Sequence, residues 1–173
     1  ATSQRILILD GITAGNVING TLVDGLGTPT ATPPVPPQSL ALTKNGTGTW
    51  TLNAASTYTG STTISAGTLK LGATASLVNT TLFDIAAGGD LNVSEVAGFA
   101  LHGTQTLQGS GTLTGSVSVP VGTLIEAGSS TTTGTLTVSQ NLQLNGGRVL
   151  ANLVTDTTPG VSDLIQVQGN LDI

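Results

Sequence analysis

Hydrophobic and polar residues alternate along this chain in short bursts, and the clearest runs from Leu40 to Gly72. Within it Gly48-Thr49-Trp50-Thr51-Leu52 returns as Gly67-Thr68-Leu69-Lys70-Leu71: a glycine, a small polar residue, then two apolar residues flanking one that faces water. Period-two alternation over so few residues, entered through a glycine, predicts a short half-buried strand after a turn. The unit recurs as Gly89-Asp90-Leu91-Asn92-Val93, Gly134-Thr135-Leu136-Thr137-Val138 and Gly169-Asn170-Leu171-Asp172-Ile173, with a glycine-less copy at Gln140-Asn141-Leu142-Gln143-Leu144. No apolar set recurs at i, i+3, i+4 and i+7 over three turns, so the reading is all-β with almost no helix.

The spacing of these units decides the architecture. Trp50 to Leu69 is 19 residues, and Leu69 to Leu91 and Leu91 to Leu113 are 22 each. Strands that return to an equivalent place about every twenty residues predict a β-solenoid. Leu113 to Leu124 and Leu124 to Leu136 are about half that step, which places a similar strand on a second face of each coil. An antiparallel sandwich competes, because Asn19-Gly20, Asn45-Gly46 and Asn145-Gly146 are hairpin signals. Asn and Gly also supply the positive φ that solenoid corners need, and only the solenoid requires the period. At about 20 residues and about 4.8 Å per coil, on the order of eight coils and a rod of roughly 40 Å are expected.

The chain is read as one domain over 1–173: an N-terminal coil at 1–27, an inserted loop at 28–38 and repeat coils at 39–173. The insert holds five prolines between Pro29 and Pro37, which cannot donate to a central ladder. A second small loop is expected at 155–162. Leu82, Phe83, Ile85, Leu91, Val93 and Val96 are core candidates, and Leu69, Leu136 and Leu142 should also point inward. The run Arg5-Ile6-Leu7-Ile8-Leu9-Asp10 departs from the alternation, since four successive aliphatics make both faces of a strand apolar. It therefore calls for cover on two sides, from the following loop or from another subunit.

The run Leu42-Thr43-Lys44-Asn45-Gly46-Thr47-Gly48-Thr49-Trp50-Thr51-Leu52, followed by Ser56-Thr57-Tyr58-Thr59-Gly60-Ser61-Thr62-Thr63-Ile64-Ser65-Ala66-Gly67-Thr68-Leu69, resembles the autotransporter-associated β-strand repeat of secreted bacterial passenger domains. The likeness extends through Leu107-Gln108-Gly109-Ser110-Gly111-Thr112-Leu113-Thr114-Gly115 and Ser162-Asp163-Leu164-Ile165-Gln166-Val167-Gln168-Gly169-Asn170-Leu171, and more weakly upstream through Asn16-Val17-Ile18-Asn19-Gly20. The resemblance implies a right-handed parallel β-helix at a bacterial cell surface. The family's membrane-embedded C-terminal barrel has no counterpart among these residues.

Composition narrows the chemistry. Charged residues are 8% of the 173, the net charge is −5, and Arg5, Lys44, Lys70 and Arg148 are the only Lys and Arg. Such a surface offers no basic patch for nucleic acid. Mean hydropathy is +0.28, yet no apolar run approaches the roughly 18 residues of a membrane span. The absence of cysteine excludes disulfides and thiolate metal sites. The absence of methionine fits either a start at Ala1-Thr2-Ser3 left by signal cleavage or an excised fragment.

Acid/base catalysis needs paired carboxylates, and the acids here are scattered singly; Asp84, Asp90 and Glu95 come nearest to a cluster. His102 is the only histidine and is read as an exposed turn residue rather than a ligand. Asp156 and Asp163 flank a loop and leave calcium open, but the dense aspartate-glycine repeats of calcium solenoids are missing. Trp50 and Tyr58 are read as packing residues rather than sugar platforms. No catalytic residue, cofactor or metal is assigned.

The expected function is a non-catalytic extracellular structural protein of a bacterial surface, a scaffold or a self-assembling fibre subunit. An adhesin or surface-glycan-binding passenger is the alternative, and a polysaccharide-degrading β-helix enzyme the third. A solenoid ending in an open sheet edge invites head-to-tail pairing unless it is capped. The expected assembly residues are Ile6, Leu7, Ile8 and Leu9 at one end and Leu171 and Ile173 at the other, giving a homo-oligomer or filament. Further coils and a cap beyond Ile173 in a longer precursor are the competing expectation.

Overall fold

The computed structural model describes residues 4–26, 36–151 and 162–173. Most of the expected proline-rich insert and of the loop at 155–162, with Asp156, lies outside the described residues. One seven-stranded sheet contains, in order, β1 (Gln4–Leu9), β3 (Ser39–Lys44), β5 (Thr62–Ile64), β7 (Leu82–Ile85), β9 (Thr106–Gly109), β12 (Leu124–Ala127) and β15 (Arg148–Leu150). A second contains β2 (Asn16–Ile18), β4 (Thr49–Leu52), β6 (Gly67–Leu71), β8 (Gly89–Asn92), β10 (Thr112–Thr114), β13 (Thr135–Val138) and β16 (Leu164–Val167). A short third sheet joins β11 (Val117–Ser118), β14 (Leu142–Gln143) and β17 (Leu171–Asp172).

Every strand pair is parallel. No strand pairs with its neighbour in sequence, because the chain adds to one sheet, crosses to the other and returns one rung further on. This is a parallel β-solenoid with no helix among the described residues. The expected spacing is the observed register: Trp50 pairs with Leu69, Leu69 with Leu91, and Leu91 with Leu113. Leu124 falls on the first sheet, between Leu113 and Leu136 on the second, as the half-steps require.

Two expectations are adjusted. Among the described residues, seven strands per large sheet give seven coils rather than about eight, a stack on the order of 30 Å at about 4.8 Å per rung. The difference comes with long steps such as Gln4 to Ser39 and Thr135 to Leu164, 35 and 29 residues against the expected twenty or so. In addition, two of the pentapeptide copies, those around Leu142 and Leu171, occupy the third sheet instead of the second. The pentapeptide thus encodes a corner followed by a strand, and not one particular face.

Side-chain direction follows the alternation. The ladder Leu42, Thr62, Phe83, Leu107 and Ile125 runs inward along the first sheet, and Trp50, Leu69, Leu91 and Leu113 run along the second. Leu69, Leu91, Leu113 and Leu136 are completely buried and Leu142 is nearly so. Leu82 is half-buried on the outer side of β7, one residue out of phase with Phe83.

Corners need glycine for two separate reasons, and Gly67 shows both. Its φ is +64°, and a Cβ there would lie 2.5 Å from the Gly48 carbonyl oxygen and 2.6 Å from that of Gly46. Of the three Asn-Gly pairs, Gly46 and Gly146 take positive φ while Gly20 does not, and among the described residues no non-glycine residue does. The asparagines act through their side chains instead: Asn145 Nδ2 donates to Ser118 Oγ, and Asn53 Nδ2 to Asn19 Oδ1, both at 2.8 Å and both between coils.

Truncating Leu91 to Ala removes a fully enclosed side chain and leaves a cavity between two rungs. We expect a loss of about 2–5 kcal/mol, read as a lower urea midpoint at unchanged slope; an unshifted midpoint would contradict the inward register.

Candidate functional site

The expected assembly residues lie at the two ends of the solenoid. In β1 the alternation holds despite the aliphatic run: Ile6 and Ile8 face out, 59% and 56% exposed, while Leu9 is buried and Leu7 packs against the core. At the other end Leu171 is 53% and Ile173 89% exposed, and Leu171 is paired on one side only, with Leu142. Among the described residues no strand lies against the outer edges of β1, β2, β15, β16 or β17. Each end therefore couples unpaired backbone groups with exposed aliphatic side chains.

Asp84, Asp90 and Glu95, the nearest approach to a cluster in the sequence, do not share one sheet face. Asp84 projects from the first sheet and Asp90 from the second, while Glu95 is taken up by Lys70, Nζ to Oε1 at 2.6 Å. Among the described residues no three His, Asp or Glu side chains gather around a point that could hold a metal. His102 is exposed at the rim of a cleft of about 170 Å³. Leu77, Phe83, Phe99 and Gln105 also line that cleft, and the two phenylalanine rings meet edge to face at 6.3 Å.

The chemistry of the molecule is instead internal, in polar side chains that close the coil corners. Lys44 sits on the same face of β3 as Leu42, in a ladder between Leu9 and Ile64, and is fully buried. Its ammonium donates to the carbonyls of Asn45 at 2.6 Å, Gly46 at 2.8 Å and Ala66 at 3.1 Å, which joins one coil to the next. Burial lowers its pKa, with the Asp10 charge acting in the opposite direction. Trp50 packs against the core and donates its indole N–H to the Asp10 carbonyl at 2.9 Å.

A second chain of contacts crosses three coils. The buried Tyr58 hydroxyl meets Thr62 Oγ1 at 2.6 Å, Thr62 Oγ1 lies 3.2 Å from Thr80 Oγ1, and Thr80 donates to the Gly60 carbonyl. Gln105 Nε2 continues it, donating to the carbonyls of Leu77 at 2.7 Å and Thr80 at 2.8 Å. Beside the proline-rich insert, Asp24 accepts from the Leu40 and Thr59 amides at 2.8 and 3.1 Å and from the Thr59 hydroxyl at 2.8 Å. Burial pushes the Asp24 pKa up, but these bonds together hold it below its ordinary value. Next to it Gly25 and Gln38 exchange backbone hydrogen bonds.

Sequence reasoning passed over Lys44, Asp24 and Gln105. For Lys44 the signal was present, since two-residue alternation from Leu42 places it inside.

Residues 42–71 match the family model described as the passenger-associated-transport-repeat. The matched segment runs from within β3 to the end of β6 and spans Lys44, Trp50, Tyr58 and Gly67 of this chain. It agrees with the resemblance read from the same residues. No curated protein and no solved structure matches the chain.

Two expectations test the corner chemistry. Lys44→Met keeps the aliphatic stem but removes the donor from three part-buried carbonyls, so stability measured by denaturant melt should fall by about 1–3 kcal/mol. Tyr58 is the only tyrosine, and burial pushes its pKa up to about 12 despite the opposing bond to Thr62. Its raised folded value means stability is full below the ordinary value of about 10 and is lost as pH rises towards about 12. Tyrosinate absorbance should report this ionisation alone, and Tyr58→Phe should remove this part of the alkaline loss. Ionisation near pH 10 with the fold intact would contradict the assigned burial.

Proposed function

We propose that this chain is a non-catalytic, extracellular structural segment of a bacterial surface protein: a β-solenoid scaffold or fibre subunit stacking end to end. The carrying observation is the form of the two ends. One molecule's β1 and β2 can continue the first and second sheets beyond another's β15 and β16, since all ladders run parallel with one strand direction per sheet. Such a contact sets a further rung beside Ile6 and Ile8 at one end and beside Leu171 and Ile173 at the other. Being heterologous, it propagates instead of closing.

The passenger-associated repeat over residues 42–71 supports the surface setting. A low density of charge supports a scaffold role, because the surface offers few groups for chemistry and the polar residues that are buried close corners. Among the described residues no helix is long and apolar enough to cross a membrane.

Light scattering and electron microscopy of the purified chain test this reading, with a deletion of residues 1–10 and the pair Ile6→Lys with Ile8→Lys. Filaments that form with the intact chain and disappear in both variants are the expected result. Monomers throughout would contradict it. A glycan panel separates the rival readings: saturable binding would favour the adhesin, and turnover the polysaccharide-degrading enzyme.

A further inference from the structure

A buried carboxylate pair lies in the last coils, on the side of the molecule and apart from the exposed aliphatics at its ends. Glu126, in β12, takes the outward position of the first sheet, in register with Gln108 on one side and Leu150 on the other. A glutamate there should be solvated, yet it is only 4% exposed, and its Oε1 has no hydrogen-bond partner. Asp163, the residue before β16, is 9% exposed and accepts the Gly134 amide on Oδ1 at 2.8 Å.

The intervening backbone explains how the two meet. The chain leaves β12 at Gly128, whose amide bonds to the Gly109 carbonyl, and turns tightly where Ser129 and Thr132 exchange backbone hydrogen bonds. It re-enters the ladder after Gly134, whose carbonyl accepts the Leu164 amide. Strands β12 and β16 come into contact, and the turn ends at Gly134, which bonds both Asp163 and Leu164.

Burial raises the Glu126 pKa, and the neighbouring Asp163 charge raises it further. The only ion pair among the described residues is Lys70 with Glu95, so no described Lys or Arg neutralises Glu126. A carboxylate removed from water beside a second one requires either a proton or a cation. Asn or Gln would fill the same space without that cost. Carboxylate oxygens, with backbone carbonyls and water, are the donor set of a hard divalent ion such as calcium, which extracellular modules bind at about 10⁻⁴–10⁻³ M.

We propose that Glu126 and Asp163 hold a divalent cation of the calcium type, completed by backbone carbonyls and water, which ties β12 to the start of β16. The test uses the whole chain, treated with chelator and melted thermally against added calcium chloride at matched ionic strength. The wild type should show a saturable rise in Tm with a midpoint of about 0.1–1 mM. Glu126→Gln should be insensitive to calcium and more stable than the calcium-free wild type, while the distant control Asp84→Asn should keep the full rise. An equal rise in Glu126→Gln would overturn the proposal by showing general surface binding. No rise in the wild type would overturn it in favour of a protonated Glu126, which a pH dependence of Tm lost in Glu126→Gln would then identify.

Discussion

Every strand in this molecule depends on another coil for its backbone hydrogen bonds. None pairs with its neighbour in sequence, so a strand from β3 to β13 in the large sheets is satisfied only when the coils before and after it are in place. This constraint makes the fold quasi-one-dimensional and fixes its register, since a slip of one residue would turn Leu69, Leu91 and Leu113 towards water together. It also explains the ends, where the same dependence leaves one edge of each ladder open.

Where the chain bends between sheets, the ladder stops and the corner carbonyls need other donors. The Lys44 ammonium, with three, serves Asn45 and Gly46 of its own coil and Ala66 of the next. Tyr58, Thr62, Thr80 and Gln105 do the same at other positions, using neutral groups that avoid the cost of burying charge. These contacts are specific in direction where the apolar core is not, so they add a second determinant of register. Asp24 plays the same part for the amides of Leu40 and Thr59, the first of them in β3.

The architecture was legible because one physical requirement, a return to the same rung, writes a period into the sequence, and Trp50, Leu69, Leu91 and Leu113 carry it openly. The inward leucines followed from that period with no further information. The polar interior was less legible. Lysine and glutamate ordinarily mark solvent; alternation from Leu42 places Lys44 inside all the same, whereas the alternation of β12 places Glu126 outside and does not foretell its burial. The third sheet was hidden for a different reason, because Leu142 and Leu171 sit in pentapeptides with the same apolar alternation as the second-sheet strands. The terminal residues were half legible: composition singled out Ile6 to Leu9, and alternation within them sent Leu9 inward and left Ile6 and Ile8 outside.

The central claim is the parallel register, and the chain's lack of cysteine makes it directly measurable by disulfide formation. Thr51 and Lys70 are register partners on the outer face of the second sheet, one rung of about 4.8 Å apart, within reach of a disulfide. Thr49 and Lys70 lie diagonally, at about 7–8 Å, beyond that reach. The account predicts that the double variant Thr51→Cys with Lys70→Cys cross-links within the monomer under mild oxidation, while Thr49→Cys with Lys70→Cys stays reduced. Cross-linking of the diagonal pair in place of the in-register pair would contradict it.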